Sequence, residues 1–224
     1  MLRTLVPLAL VALTTTILLP LASAQVGKND KILNPNLATK EQLATVGLEK
    51  ETKAIVEARP FKSIVEFDKL LAKTQSAEAR KKLYEKLFVP INLNTATREE
   101  IFLIPRMGKK MAHEFEEYRP YKHLKQFRRE IAKYVDKKEL ARLEQYVFVP
   151  LELNTAKEEE FKSIPGVGKR MAHEFVEYRP YKSMKQFRRE IGKYVDKKEV
   201  ARLERYIFLK GASSKPATSK PKRK

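Results

Sequence analysis

The stretch IPGVGKRMA at residues 164–172 contains the strongest local structural signal in the chain. Pro165 ends one helix and restricts the backbone at the start of a tight turn. Gly166 and Gly168 allow positive φ angles and the close approach of another backbone, and the apolar residue between them is suited to pack into a core. A second helix then begins at Lys169. The stretch therefore predicts two helices joined by a short turn, with the free amides of the second helix facing outward.

Such a turn has the chemistry of an anion site. The first amides of a helix point away from its axis and carry the positive end of the helix dipole, which favours phosphate. Lys169 and Arg170 follow directly and add two positive charges. The segment therefore predicts a phosphate site made of backbone donors and reinforced by basic side chains.

The segment is part of an internal repeat. MAHEF at 111–115 recurs at 171–175, and KQFRREI at 125–131 recurs unchanged at 185–191. A more divergent copy of the repeat precedes these two copies and lacks two residues in the turn. The repetition predicts three units: a degenerate unit 1 within residues 25–90 that begins near residue 33, unit 2 at 91–150 and unit 3 at 151–210.

Each unit is predicted to contain four short helices. Thr39 with Gln42, and Thr97 with Glu100, have the spacing of capping boxes. In unit 2 the first helix should end before Pro105, the second should span 109–118, the third should contain Phe127 and Ile131, and the fourth should span about 137–147. No segment shows the period of two that is typical of strands. The predicted fold class is all-α, built from tandem repeats of paired helical hairpins.

Unit 3 resembles the helix-hairpin-helix domain of the ComEA family, whose members are exported and bind double-stranded DNA during bacterial competence. The resemblance is carried by Asn154-Thr155-Ala156, by the turn at 164–168 and by Ala172. It extends to each unit and so covers nearly all of 33–210. The family usually has one such unit, so three in tandem is a departure from its pattern.

The resemblance implies that turn amides and flanking basic residues contact DNA phosphates across the minor groove. The matching positions are Gly166, Val167, Gly168, Lys169 and Arg170 in unit 3, and Arg106, Met107, Gly108, Lys109 and Lys110 in unit 2. Arg106 replaces the first glycine. This substitution disfavours the predicted turn geometry but adds a positive charge. Unit 1 keeps only GLEK at 47–50, so we expect it to bind poorly or not at all.

The second hairpins, YVDKK at 134–138 and 194–198, have lost the glycines of the family pattern. Asp136 and Asp196 are suited to cap the helices that follow them. The paired lysines after each aspartate are suited to meet phosphate. Two readings stay open: these turns only complete the fold, or they add phosphate contacts.

The composition agrees with a polyanionic partner. The chain has 47 Lys+Arg against 28 Asp+Glu, a net charge of +19, which predicts attraction to nucleic acid or to an anionic membrane surface. It has no cysteine, which excludes disulfides and thiolate zinc sites. His113, His123 and His173 do not have the spacing of a metal site, so we expect no metal, no cofactor, no small-molecule substrate and no enzymatic activity.

The two ends of the chain have biased compositions. Residues 1–24 have the features of a signal peptide with cleavage after Ala24, which predicts a periplasmic or secreted protein. A retained membrane anchor is the alternative. Residues 211–224 are predicted to form a disordered basic tail. Membrane contact is expected only through an uncleaved signal or this tail.

These observations favour an exported, sequence-independent double-stranded DNA-binding protein, with DNA uptake during competence as one process it would serve. The alternative is a non-enzymatic periplasmic scaffold that uses the same fold to bind a protein partner in the envelope, because a fold does not determine a function.

Overall fold

A computed structural model describes residues 32–211. The predicted signal peptide and nearly all of the predicted tail lie outside these residues. The described chain is mostly helical, which confirms the all-α prediction. Between residues 32 and 211, no helix is both long enough and apolar enough to cross a bilayer.

Four short helices occur in each predicted unit. Unit 1 contains α1 (Lys40–Thr45), α2 (Thr52–Ala58), α3 (Ile64–Leu71) and α4 (Ala77–Leu83). Unit 2 contains α5 (Arg98–Phe102), α6 (Lys109–Glu117), α7 (Leu124–Ile131) and α8 (Lys137–Glu144). Unit 3 contains α9 (Glu158–Phe161), α10 (Lys169–Glu177), α11 (Met184–Ile191) and α12 (Lys197–Leu203), followed by a 3-10 turn at Glu204–Tyr206.

The helix starts follow the capping signals in the sequence. Thr39 and Thr97 form the two predicted capping boxes with Gln42 and Glu100. The helix ends are less regular. The fourth helix of unit 2 was expected to reach Val147 but ends at Glu144, because Val147 enters a strand instead.

Short parallel strands close units 2 and 3, a feature that the sequence did not predict. β1 (Ile91–Asn92) pairs with β2 (Val147–Phe148), and β3 (Leu151–Glu152) pairs with β4 (Ile207–Phe208). An isolated parallel bridge between Leu33 and Leu87 occupies the same place in unit 1. Strands of two residues are too short to show alternation, so periodicity cannot reveal them.

An asparagine fastens the start of each unit to the segment after its second helix. In unit 3, Asn154 Oδ1 accepts a hydrogen bond from the Tyr181 amide at 2.7 Å, and Asn154 Nδ2 donates to the Tyr181 carbonyl at 2.9 Å. Asn36 and Asn94 make the same pair of bonds in units 1 and 2. The asparagine of the Asn-Thr-Ala motif therefore has a structural role.

An arginine adds two further hydrogen bonds at the same junction. Arg179 donates to the carbonyl oxygens of Leu153 at 2.8 Å and Ala156 at 2.5 Å. Arg119 and Arg59 donate to the corresponding carbonyls of their units. Each of these arginines follows the end of the second helix of its unit and satisfies two backbone acceptors.

The buried apolar residues form two clusters. One is shared by units 1 and 2, and the other lies almost entirely in unit 3. Successive units meet through aromatic pairs at corresponding positions: Phe88 lies 4.9 Å from Tyr146 between ring centroids, and Phe148 lies 4.5 Å from Tyr206. Units 1 and 2 therefore each pack their last aromatic residue against the end of the next unit.

Candidate nucleic-acid interface

The turn of unit 3 combines a left-handed residue with a buried anchor. Gly166 has a φ angle of +79°, the region in which glycine is favoured. Val167 is 7% exposed and belongs to the core of unit 3, as predicted. Its amide donates to the Ile164 carbonyl at 3.0 Å. The turn is therefore held at its centre, while Gly166, Gly168, Lys169 and Arg170 are exposed.

Gly168 does not adopt the positive φ that a glycine permits. Its φ is −88° and its ψ is 178°, an extended conformation open to other residues. It occupies the N-cap position of α10 without a side chain to cap the helix. No heavy atom of the described chain, apart from its neighbours, lies within 4 Å of the place a Cβ would take. The missing side chain thus leaves the first amides of α10 accessible.

Arg202 holds the turn from the second hairpin of the same unit. Its Nη1 donates to the Pro165 carbonyl at 2.6 Å, and its Nε and Nη2 donate to Glu199 at 2.7 and 2.6 Å. The side chain is 2% exposed, so its charge is satisfied inside the protein. Sequence reasoning missed this residue, although an Arg-Glu pair recurs at Arg142 and Glu139.

The turn of unit 2 keeps this geometry with an arginine in place of glycine. Arg106 adopts a φ of +62°, which is uncommon for a residue with a side chain. Its Nη2 lies 3.2 Å from Glu139 Oε2, and Arg142 donates to the Pro105 carbonyl at 2.9 Å. Met107 is partly buried against the core, while Gly108 caps α6 with a φ of −92° and no side-chain bond. Replacement of the first glycine therefore does not prevent the turn.

The basic residues after each turn point into solvent. Lys109, Lys110, Lys169 and Arg170 are all exposed. The Nζ of Lys110 lies 5.8 Å from the centroid of the Tyr134 ring, which brings the first and second hairpins of unit 2 onto one face. The exposed Tyr134 hydroxyl is in turn 2.8 Å from the Tyr118 hydroxyl.

The turn of unit 1 differs at the helix start. Gly47 retains a φ of +83° and Leu48 is buried, so the centre of the turn is preserved. However, α2 begins only at Thr52, and its N-cap is Glu51. The Glu51 carboxylate accepts from Thr74 at 2.7 Å and Gln75 at 2.8 Å. The start of α2 therefore differs from the glycine-capped starts of α6 and α10, and poor phosphate binding by unit 1 stays a prediction.

The second hairpins of units 2 and 3 are capped by their own side chains. Asp136 accepts from the Glu139 amide at 2.7 Å, and Asp196 accepts from the Glu199 amide at 2.8 Å, as predicted. These carboxylates take the position that a phosphate would need. Lys137, Lys138, Lys197 and Lys198 are exposed, but Lys198 donates to the Glu57 carbonyl of unit 1 at 3.2 Å. The geometry favours a structural role for the turns themselves.

Unit 3 also touches unit 1 near the turn. A Cβ at Gly166 would lie 3.2 Å from Leu37 Cδ2 and 3.1 Å from Arg202 Nη2. The inner side of the turn thus faces protein, whereas the side of Gly168 is open. Within residues 32–211, no group of histidine and acidic side chains is arranged to hold a metal ion.

Comparison with known proteins agrees with this geometry. Residues 147–207 match the family model of the helix-hairpin-helix motif, so the segment that contains the unit 3 turn carries this motif. The match supports a relation to helix-hairpin-helix DNA-binding proteins, without singling out the ComEA family. Neither the curated proteins nor the solved structures contain a significant match to the chain.

Proposed function

We propose that this chain is an exported protein that binds double-stranded DNA through its phosphate backbone without reading sequence. The observation that carries the proposal is the uncapped start of α10. Gly168 leaves its amides accessible beside exposed Lys169 and Arg170, within a segment that matches the helix-hairpin-helix motif. Donors of this kind bind phosphate oxygens, which are the same in every base pair.

The turn of unit 2 supplies a second clamp. Gly108 leaves the start of α6 uncapped in the same way, and Lys109 and Lys110 are exposed beside it. Two such sites on one chain are suited to hold successive stretches of one duplex. DNA uptake during competence is a process that a protein of this kind, placed outside the cytoplasm, would serve.

The test is fluorescence anisotropy of residues 25–224 with labelled duplexes of unrelated sequence across a salt series. The variant Gly108→Asp/Gly168→Asp is the probe. Both backbones are extended and open, so aspartate fits, and it places a carboxylate over the amides. We expect affinity to fall about ten- to hundredfold in the variant, since charge-assisted hydrogen bonds are lost. Wild-type affinity should decrease steeply with salt.

A matched control separates the turn from the net charge. Ala54→Asp/Ala77→Asp adds the same two negative charges at exposed positions of unit 1. It should reduce affinity far less than the glycine pair. Equal, weak binding by wild type and both variants would show only a generic polycation effect.

A protein-interaction scaffold is the second candidate, and one observation favours it. Unit 1 contacts both hairpins of unit 3, since Leu37 faces Gly166 in the first turn and Lys198, after the second turn, donates to the Glu57 carbonyl. Absent duplex binding, or duplex binding that Gly108→Asp/Gly168→Asp does not weaken, would favour a scaffold for a protein partner in the envelope.

A further inference from the structure

A groove of about 450 Å³ lies between α4 of unit 1 and the end of α5 and the turn of unit 2. We call it the inter-unit groove. Unit 1 lines it with Lys81 and Lys82, whereas unit 2 lines it mainly with apolar side chains, among them Phe102 and Leu103. This pairing of positive charge with an apolar surface distinguishes the groove from the turns, whose donors are backbone amides.

The lysines of the groove have no acidic partner within residues 32–211. Both are exposed. Lys82 takes the repeat position of Arg142 and Arg202, each of which pairs with a glutamate three residues earlier. In α4 that earlier position is Ala79, so the pair cannot form. Unit 1 therefore presents a lysine without an ion pair in the described part of the chain, at the position where the other units hold a paired arginine.

Phe102 is the second unusual feature. It is 42% exposed, although large apolar side chains are usually buried. The corresponding positions are Ala44 in unit 1 and Lys162 in unit 3, so the ring is specific to unit 2. The guanidinium of Arg98 lies 6.0 Å from its centroid and also pairs with Glu116 at 3.4 Å.

Further charges in the groove limit what it can accept. Arg106 lines it and contributes a third cation, partly compensated by Glu139. Glu85 is the acidic residue among its lining side chains. Three cations against one lining carboxylate favour an anionic ligand, and an exposed ring favours one with a flat aromatic group.

We propose that the inter-unit groove binds an unpaired stretch of nucleic acid. Phe102 stacks on one base, while Lys81 and Lys82 contact the flanking phosphates. Basic grooves with aromatic stacking residues bind single strands without base preference, because every base has a stacking face. The bases of an intact duplex are stacked on each other, so the groove takes a different ligand from the duplex clamps, although it adjoins the Gly108 clamp through Arg106 and Met107. It gives unit 1 a function that its own turn does not provide.

The experiment uses Phe102→Trp in residues 25–224. The chain has no tryptophan, so this variant carries a single reporter in the groove. We expect oligothymidylate to quench its emission on stacking. An abasic oligonucleotide of the same length should bind through its phosphates without comparable quenching. Unchanged emission at saturating oligothymidylate, or equal quenching by both ligands, would overturn the proposal.

Two further pairs of variants assign the roles of the residues. By anisotropy, Lys81→Ala/Lys82→Ala should weaken oligothymidylate binding about tenfold or more, whereas Lys69→Ala/Lys73→Ala removes the same charge from exposed sites outside the groove and should have little effect. Phe102→Leu should weaken binding about tenfold and Phe102→Tyr should preserve it. Equal losses from the two lysine pairs would contradict the proposal.

The two nucleic-acid sites fail separately. Gly108→Asp/Gly168→Asp should reduce duplex affinity but leave quenching at position 102 largely intact. If duplex binding is absent or does not depend on the two glycines while quenching is retained, only the clamp proposal fails. If duplex binding depends on the two glycines but quenching is absent, only the groove proposal fails.

Discussion

At residue 166 the backbone has a φ of +79°, and an added Cβ would approach Leu37 and Arg202 to 3.2 and 3.1 Å. At residue 168 the φ is −88°, and the space around an added Cβ is open. Gly166 is therefore needed for the conformation of the turn, whereas Gly168 keeps the first amides of α10 accessible. Arg106 accepts the same left-handed conformation in unit 2, at a cost of about 1 kcal/mol or more.

The two glycines should therefore respond differently to alanine. Gly166→Ala should destabilise the protein by about 1–2 kcal/mol, because alanine combines an unfavourable φ with crowding. Gly168→Ala should cost less, at most about 1 kcal/mol, because its space is open and the loss is only that of a glycine N-cap. Urea unfolding followed by circular dichroism measures both, and equal effects would contradict these separate roles.

At the scale of elements, the turn of unit 3 depends on α12. Arg202 is 2% exposed and joins the Pro165 carbonyl to Glu199. Arg188 offers a comparison in the same unit. Its Nε lies 2.6 Å from Glu204 Oε1, and its side chain is 57% exposed. A buried arginine that satisfies a turn carbonyl should matter more than a solvated ion pair.

We expect Arg202→Met to lower the free energy of unfolding by about 2–4 kcal/mol, since it leaves the Pro165 carbonyl and Glu199 without their donor. Arg188→Met should cost at most about 1 kcal/mol. Chemical unfolding of the two variants gives the comparison. A loss for Arg202→Met no larger than that for Arg188→Met would show that the turn does not need this arginine.

The corresponding pair in unit 2 predicts a pH dependence. The hydrogen bond from Arg142 holds the pKa of Glu139 below its usual value, against a smaller opposing effect of burial. A lowered pKa in the folded state adds stability above the unfolded pKa of about 4.3, and this stability is lost as pH falls through the folded pKa. Glu139→Gln should therefore destabilise the protein near pH 6 but much less near pH 3. A constant difference in unfolding free energy across that range would contradict this linkage.

The sequence predicts those features of the fold that depend on residues close together in the chain. The capping boxes, the aspartate caps and the buried Val167 each involve residues within a few positions of one another. The strands and the arginine contacts depend on distant positions: Ile91 pairs with Val147, and Arg202 reaches Pro165. A charged residue gives no local sign that it will be buried, because its burial depends on an acceptor that only the folded chain places beside it.

At the scale of the whole molecule, Arg205 links all three units. It donates to the Lys62 carbonyl at 2.8 Å and to the Pro90 carbonyl at 2.7 Å. Its guanidinium also lies 5.6 Å from the centroid of Phe148. Arg205 therefore contributes to the relative placement of the units, together with the Phe148–Tyr206 pair and the Lys198–Glu57 hydrogen bond. The unit boundaries themselves remain a prediction from the repeat.

Arg205→Ala should loosen unit 3 from the rest of the chain. Calorimetry should then resolve two transitions, or one broadened transition, because the two core clusters lose a shared constraint. Duplex affinity should fall more for a long duplex that spans both clamps than for a short one that reaches a single clamp. A single unbroadened transition would show that the other contacts between the units keep them together without Arg205.

The parallel pairing of β1 with β2, and of β3 with β4, places the two ends of a unit side by side. The chain therefore leaves each unit close to where it entered. A duplication at such a point adds a complete unit whose ends again lie side by side. The fold is thus open to growth by gene duplication, and a turn can lose its ligand in one copy while another copy keeps it.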